Sequence, residues 1–290
     1  MKPFLLKLVV LMVFALPLRA QNNLLDLFED ESPKTEFAYA TFKAPRVVYG
    51  QSVEQPAKGN MMFLIQHNFG SVNSGFYDLF GLDRATMRMA LEYGLTDRIM
   101  IAAGRSTWQK TYDAGLKVKL LRQSAGETVM PVTLSYATGT AINSTRWANP
   151  SRENYFSSRL SFYHQLLIAR KFSESVSLQL SPTVIHKNLV PTRNDQNTSF
   201  ALGAGGRFKL TQRASINAEY FYYPEDQTTL NRHDALSLGF DIETGGHVFQ
   251  LHFSNAGAMF ERAFISETEG RWTKGDIYFG FNLYRNFVIR

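Results

Sequence analysis

The sequence contains no cysteine, few charged residues and, beyond its N-terminus, no long apolar run. The lack of cysteine excludes a disulfide framework, a thiolate nucleophile and a cysteine-based metal site. A helical membrane protein would need a run of about 18 or more apolar residues. In contrast, the chain holds 13 Tyr and 23 Phe and is 44% hydrophobic, which is too apolar for disorder. The composition leaves a soluble β protein or a membrane β-barrel.

Residues 1–20 have the composition of a secretory signal peptide. Lys2 and Lys7 flank the start of a short apolar stretch around residues 8–16, and Pro17 and a small residue, Ala20, follow it. This pattern predicts cleavage after Ala20 and export of the mature chain, because the stretch is short for a membrane anchor. Removing Lys2, Lys7 and Arg19 lowers the formal net charge from +6 to +3. No cluster of Lys and Arg remains that would indicate nucleic-acid binding.

From about residue 59 the chain consists of segments in which apolar residues alternate with small or polar ones. The segment 235–243 has two different faces. The apolar face consists of Leu236, Leu238, Phe240 and Ile242, and the polar face consists of Ser237, Gly239, Asp241 and Glu243. Such a period of two indicates a strand with two different faces. The pattern predicts twelve strands, near 59–69, 84–94, 99–106, 112–121, 129–138, 155–170, 176–187, 198–210, 214–223, 233–243, 247–254 and 273–285.

The lengths of the connections favour a barrel over a soluble sandwich. Short turns alternate strictly with mostly longer loops, the turns at 95–98, 122–128, 171–175, 211–213 and 244–246. A transmembrane barrel has an even number of strands, short periplasmic turns and longer external loops. A sandwich has no reason to sort its loops in this way. We therefore predict an all-β, antiparallel transmembrane β-barrel of about 12 strands over residues 59–290, in the outer membrane.

Residues 21–58 precede the first predicted strand and do not alternate. The acidic stretch 22–31 is compatible with a short amphipathic helix, and residues 40–48 with extended chain. The sequence leaves three alternatives open for this region, which are a periplasmic arm, a plug inside the lumen and a solvated leader.

The predicted inner face of the barrel carries charges of both signs, at Arg88, Glu92, Lys117, Lys119, Arg159, Arg207, Lys209, Glu219, Asp241 and Glu243. Buried charges must be paired or solvated. The set therefore fits either an internal salt-bridge lattice that closes a narrow barrel or a weakly selective pore. A barrel of twelve strands lies between small filled barrels and wide porins, so strand number does not decide. Besides outer-membrane lipid, we expect a small solute or a periplasmic protein as partner.

Motifs for catalysis are mostly absent. The sequence lacks an HExxH metal motif, a GxSxG nucleophile elbow and a Walker phosphate loop, and it predicts neither a metal nor a cofactor. One stretch, HFSNAG at 252–257, is similar to the HxSNG stretch of outer-membrane phospholipase A. In that family a His activates a Ser for attack on a lipid ester, and an Asn orients the His.

The carried-over residues are His252, Ser254 and Asn255. His252 and Ser254 share one strand face, so contact between them is feasible. However, that face is the predicted lumenal one, whereas a phospholipase of this kind needs its dyad to face lipid, and Ala256 departs from the family pattern. We predict a passive pore or an envelope docking platform rather than an enzyme. A lipid hydrolase and a purely structural barrel are the alternatives.

Several longer strings resemble one group of uncharacterised bacterial outer-membrane β-barrel proteins, defined as a domain family of unknown function. They are ATFKAPRVV (40–48), FGLDRATMR (80–88), YGLTDR (93–98), GRSTWQKTYD (104–113), KLLRQS (119–124), GGHVFQLHFSN (245–255) and KGDIYFGFN (274–282). The similarity covers most of residues 40–287. It implies an outer-membrane barrel of one domain, and it supplies no activity, cofactor or catalytic residue.

Overall fold

The computed structural model of the protein describes residues 34–289, so the predicted signal peptide and the stretch 22–31 lie outside the described residues. Two short strands, β1 (Glu36–Phe37) and β6 (Ser124–Ala125), pair with each other. The other twelve form one closed barrel: β2 (Asn60–Ser71), β3 (Ala85–Gly94), β4 (Ile99–Ser106), β5 (Tyr112–Leu121), β7 (Thr133–Ile142), β8 (Leu160–Lys171), β9 (Val176–Lys187), β10 (Thr198–Lys209), β11 (Ala214–Tyr222), β12 (Ala235–Thr244), β13 (His247–Ser254) and β14 (Tyr278–Val288).

The barrel closes between its last and first strands. β14 pairs antiparallel with β2, from Tyr278 opposite Ser71 to Val288 opposite Asn60. Every other pair is antiparallel too, so the short turns lie at the end where β2 begins and β14 ends, here called the periplasmic end. The longer loops lie at the opposite, external end. The predicted twelve-stranded antiparallel barrel is confirmed.

Most polar side chains of the strands are buried inside the barrel, and most of the exposed apolar side chains point outward. In β9, Ser177, Gln179 and Ser181 are buried, whereas Leu178 and Leu180 are each 51% exposed. This arrangement is the reverse of a soluble protein, and it suits a barrel whose outer face meets lipid. None of the helices within residues 34–289 combines the length and the hydropathy of a membrane-crossing helix.

Three strands start later than the alternation predicts. The fifth barrel strand begins at Thr133 rather than near 129, after Pro131, which has no N–H to give to a ladder. The sixth begins at Leu160, because Phe156–Arg159 form a 3-10 turn. The last begins at Tyr278, after a turn that ends at the left-handed Gly275. A period of two continues through such turns, so it does not mark where a strand begins.

Two segments outside the strands fill the barrel. The plug segment (residues 40–54) makes side-chain or backbone contacts with β2, β3, β5 and β8 to β14. Only a segment inside a closed barrel can reach strands on all of its sides. The lid segment (residues 255–272) connects β13 to β14 at the external end and contains a short helix, α1 (Glu261–Ser266). Both segments contribute to one buried core.

Candidate functional site: the occupied lumen

The plug segment folds back on itself as a hairpin. Ser52 N–H donates to Pro45 O at 2.8 Å, and Val47 N–H donates to Gly50 O at 2.9 Å. The Ser52 hydroxyl also donates to Ala44 O at 2.6 Å. These hydrogen bonds lie within the segment, so the hairpin keeps part of its shape independently of the wall.

Wall side chains satisfy the backbone at the tip of this hairpin. The carboxylate of Glu219 on β11 accepts hydrogen bonds from the backbone N–H groups of Val48, Tyr49 and Gly50, at 2.8 to 3.3 Å. Asn282 on β14 donates to Val48 O at 2.9 Å. Buried backbone groups must be paired, and here polar wall side chains replace the strand or water that would normally pair them.

The two legs of the hairpin are bound in the same way. Lys117 on β5 donates to Pro45 O, Ser52 O and Glu54 O, at 3.2, 2.9 and 2.9 Å. Arg207 on β10 donates to Ala40 O at 2.8 Å. Two predicted inner-face cations thus bind carbonyl oxygens of the plug segment, and the structure holds no carboxylate partner for them within residues 34–289.

A buried ionic contact joins the plug segment to the lid segment. Arg46 Nη1 lies 2.6 Å from Glu261 Oε1, and Gln51 Nε2 donates to the same oxygen at 2.8 Å. Arg46 Nε is 3.7 Å from Glu92 Oε1 on β3, so the guanidinium serves two carboxylates. The ring of Tyr49 at the hairpin tip packs 5.9 Å from that of Phe264 in α1.

The lid segment contributes apolar side chains to the core. Ala256, Met259, Phe260, Phe264 and Ile265 are each at most 1% exposed. Each Å² of apolar surface that is removed from water contributes about 25 cal/mol to the stability of the fold. Water cannot replace such apolar contacts. The lid is therefore part of the packed core.

The remaining predicted inner-face charges divide into those in the lumen and those at its ends. Arg88 pairs with Asp113 at 2.5 Å, and Asp241 accepts hydrogen bonds from Ser215 and Gln250, at 3.0 and 2.6 Å. At the periplasmic end Glu243 pairs with Lys43 of the plug segment, and Lys119 and Lys209 are half-buried. Arg159 lies outside the strands, in the turn before β8, where it stacks 3.9 Å from the ring of Trp147.

The structure places the residues of the hydrolase alternative on the inner face, each at most 2% exposed. His252 Nε2 lies 2.8 Å from Asn68 Oδ1, and Ser254 Oγ lies 3.0 Å from Ser237 Oγ. Asn255 binds backbone groups at Leu236, Asp234 and Gly270. Within residues 34–289 no hydrogen bond joins His252 to Ser254, and neither side chain reaches the lipid-facing surface. The arrangement lacks an activated serine.

Sequence reasoning missed the residues that connect the parts of the lumen, namely Arg46, Gln51, Asp113 and Glu261. Arg46 and Gln51 lie in a segment without alternation, and Glu261 lies in an external loop, so no periodicity marks them. A weak signal was available, because Arg46 is a charge within an otherwise apolar stretch, APRVVYG.

Access to the lumen is limited. At the periplasmic end a cavity of about 470 Å³ lies between the legs of the plug segment and the wall, lined by Phe42, Val53, Lys119 and Arg122 among others.

Within the described range, no group of three or more acidic or His side chains is arranged to hold a metal ion.

Comparisons with solved structures and with protein families find relatives of this chain. The chain is similar to the solved NanC porin (7% identity, TM-score 0.49, 78% of this chain and 98% of that one). It is similar to an outer-membrane channel from Pseudomonas putida F1 (11%, 0.48, 81% and 97%) and to the KdgM porin (8%, 0.47, 78% and 99%). Among curated protein sequences, none is significantly similar to this chain.

The family model described as "Membrane bound beta barrel domain (DUF5777)" matches residues 42–287. The match covers the lid segment, the plug segment from residue 42 onward and all twelve barrel strands except the last residue, Val288. A closed barrel with a lipid-facing apolar surface is the strand architecture that spans outer membranes. The protein is therefore an outer-membrane β-barrel and belongs to the DUF5777 family of membrane-bound β-barrel domains.

Proposed function

We propose that the protein is an outer-membrane channel that its own plug segment closes, and that it conducts when this segment leaves the lumen. The observation that carries the proposal is the polar contact between plug and wall. The wall residues that bind the plug backbone, such as Glu219, Lys117 and Asn282, are groups that water solvates well. Withdrawal would expose a polar inner face, which can line an aqueous pore.

The plug can be locked in place by an engineered disulfide. A Cβ atom added at Gly205 on β10 would lie 3.8 Å from the Cβ of Val47, which is near the mean spacing in disulfides. Because the chain has no cysteine, the double variant Val47→Cys/Gly205→Cys would contain a single cysteine pair. Oxidation should tether the plug to the wall, and reduction should release it.

The test is single-channel conductance of the refolded chain in a planar bilayer under voltage. We expect discrete current steps from the reduced double variant and none after oxidation. The matched control is Ala102→Cys/Gly115→Cys, a pair at 3.9 Å that joins the neighbouring wall strands β4 and β5 and so does not tether the plug to the wall. Its conductance should not change on oxidation. A wild-type protein and a reduced double variant that both stay silent at every voltage would contradict the proposal.

A docking platform is the second candidate, and a surface at the periplasmic end favours it. Phe37 on β1 is 51% exposed and Tyr39 is 81% exposed, next to the start of the plug. A photo-crosslinking residue at position 39 in intact cells should then form an adduct with an envelope protein. The same residue at Tyr77, which is 95% exposed at the external end, is the control. The absence of an adduct specific to position 39 would reject the platform.

A further inference from the structure

The carboxylate of Glu219 is held in an uncommon way for a buried acid. It is 3% exposed and accepts hydrogen bonds from three consecutive backbone N–H groups, those of Val48, Tyr49 and Gly50. No ion pair with Glu219 occurs among residues 34–289. The charge is therefore stabilised directly by the plug backbone, and consecutive N–H groups of this kind form anion sites in many proteins.

The plug tip, defined as the backbone of residues 48–50, is shaped to receive a carboxylate. A Cβ atom at Gly50 would lie 3.1 Å from Glu219 Oε2 and 2.9 Å from the ring of Phe221, so only glycine allows this close approach. Arg46 Nη1 also donates to Tyr49 O at 2.9 Å, within the same hairpin. Together with the hydrogen bonds between residues 44–47 and 50–52, this contact preorganises the tip.

We propose that the plug tip is a binding site for a small carboxylate, and that Glu219 occupies it as an internal ligand while the barrel is closed. A free carboxylate binds the tip of a displaced plug, in the place that Glu219 has left. Because it binds the open state alone, it shifts the equilibrium toward opening by mass action. This inference rests on the proposed movement of the plug and names the ligand class that favours it.

The experiment measures how often the plug leaves, without requiring conductance. In the full chain, Val48→Cys introduces a single thiol at a side chain that is 0% exposed, so a charged thiol reagent reaches it only after displacement of the plug. We expect sodium acetate to raise the labelling rate to a plateau, relative to sodium chloride at equal ionic strength. The control is Ser266→Cys in the lid segment, also 0% exposed, whose labelling rate should not respond to acetate.

Removing the internal ligand gives an independent test. Glu219→Gln in the Val48→Cys background keeps the size of the side chain, but it removes the charge and replaces one accepting oxygen by an NH2 group that cannot accept from the plug N–H groups. We expect labelling without acetate to become about tenfold faster, which corresponds to about 1.4 kcal/mol. Glu219→Asp keeps the charge but retracts it, and it should give a smaller increase.

The outcomes separate this inference from the channel itself. Equal labelling rates in acetate and chloride, or an unchanged rate in Glu219→Gln, would overturn the carboxylate site even if the reduced disulfide variant conducts. Acetate-dependent labelling in a protein that never conducts would retain the site and reject the channel. The acetate titration uses only the reporter variant, so it decides the question even if the Glu219 variants do not fold.

Discussion

The two segments that fill the lumen are attached to it by different interactions. The backbone of the plug segment binds polar and charged wall side chains such as Glu219, Lys117 and Asn282, and its apolar side chains are buried in the core as well. The lid segment contributes apolar side chains, such as Phe264 and Ile265, to the core. Water can replace polar partners at little net free energy, whereas exposure of apolar surface has no such compensation. The comparison indicates that the plug depends more than the lid does on contacts that water can replace.

The largest effect should come from the contact that joins the two segments. Arg46→Met leaves Glu261 and Glu92 buried without their cation, and we expect a loss of about 3–5 kcal/mol in the free energy of unfolding. Urea unfolding, followed by the heat-dependent gel mobility of the folded barrel, measures it. Arg46→Lys is the control, because it keeps the charge and should lose less. Equal losses in both variants would show that charge is not what joins plug to lid.

A cavity in the apolar packing of the lid should lower the free energy of unfolding. Ile265→Ala removes a side chain that is 0% exposed, and we expect a loss of about 2–5 kcal/mol in the free energy of unfolding. The same urea titration measures this loss. The labelling rate of Val48→Cys should rise no more than the global destabilisation requires. A loss below about 1 kcal/mol, for a residue of this size, would mean that the lid is loosely packed. That result would contradict the difference between the lid and the plug.

A single polar contact to the plug should matter less. Asn282→Ala removes the donor to Val48 O, and water can enter in its place as the plug loosens. We expect a loss of about 1 kcal/mol in unfolding free energy, together with faster labelling at Val48→Cys. A loss as large as that of Ile265→Ala would contradict the view that water can replace the polar contacts of the plug.

The smallest effect concerns the external rim, where Asp195 joins two loops. Burial favours a raised pKa for Asp195, but hydrogen bonds from Thr229, Thr192 and Thr228 outweigh it and hold the pKa well below its usual range. A depressed pKa contributes stability above the unfolded value of about 3.9, and this contribution is lost as pH falls through the folded value. The loops should therefore become less protected only in strong acid.

Hydrogen exchange of the Thr229 amide measures this effect. At neutral pH, Asp195→Asn should speed the exchange by about twofold to tenfold, the range that one hydrogen bond supports. The variant should also lose the acid dependence of the wild-type exchange rate. Plug labelling at Val48→Cys is the control and should not change, because Asp195 lies outside the lumen. A matching change at the plug would mean that the rim and the lumen are coupled.

The strands themselves could be predicted from the sequence. Alternation predicted the number of strands, and at segments such as 176–187 and 247–254 it predicted bounds identical to those of β9 and β13, while the alternation of short turns with longer loops predicted a barrel rather than a sandwich. These features are local, because the side-chain period of a strand and the length of a turn depend on neighbouring residues. The period does not record where pairing starts, so β7, β8 and β14 begin later than predicted.

From the sequence alone, a membrane barrel with a polar inner face and charges of both signs could be predicted. What those charges bind became visible only in the folded chain. Glu219 binds backbone of a segment 169 to 171 positions away in the chain, and Arg46 meets Glu261 at a separation of 215. Such contacts form when the closed barrel brings the plug from one end and the lid from the other into the same volume. No periodicity or spacing encodes that meeting, because it depends on closure of the whole sheet.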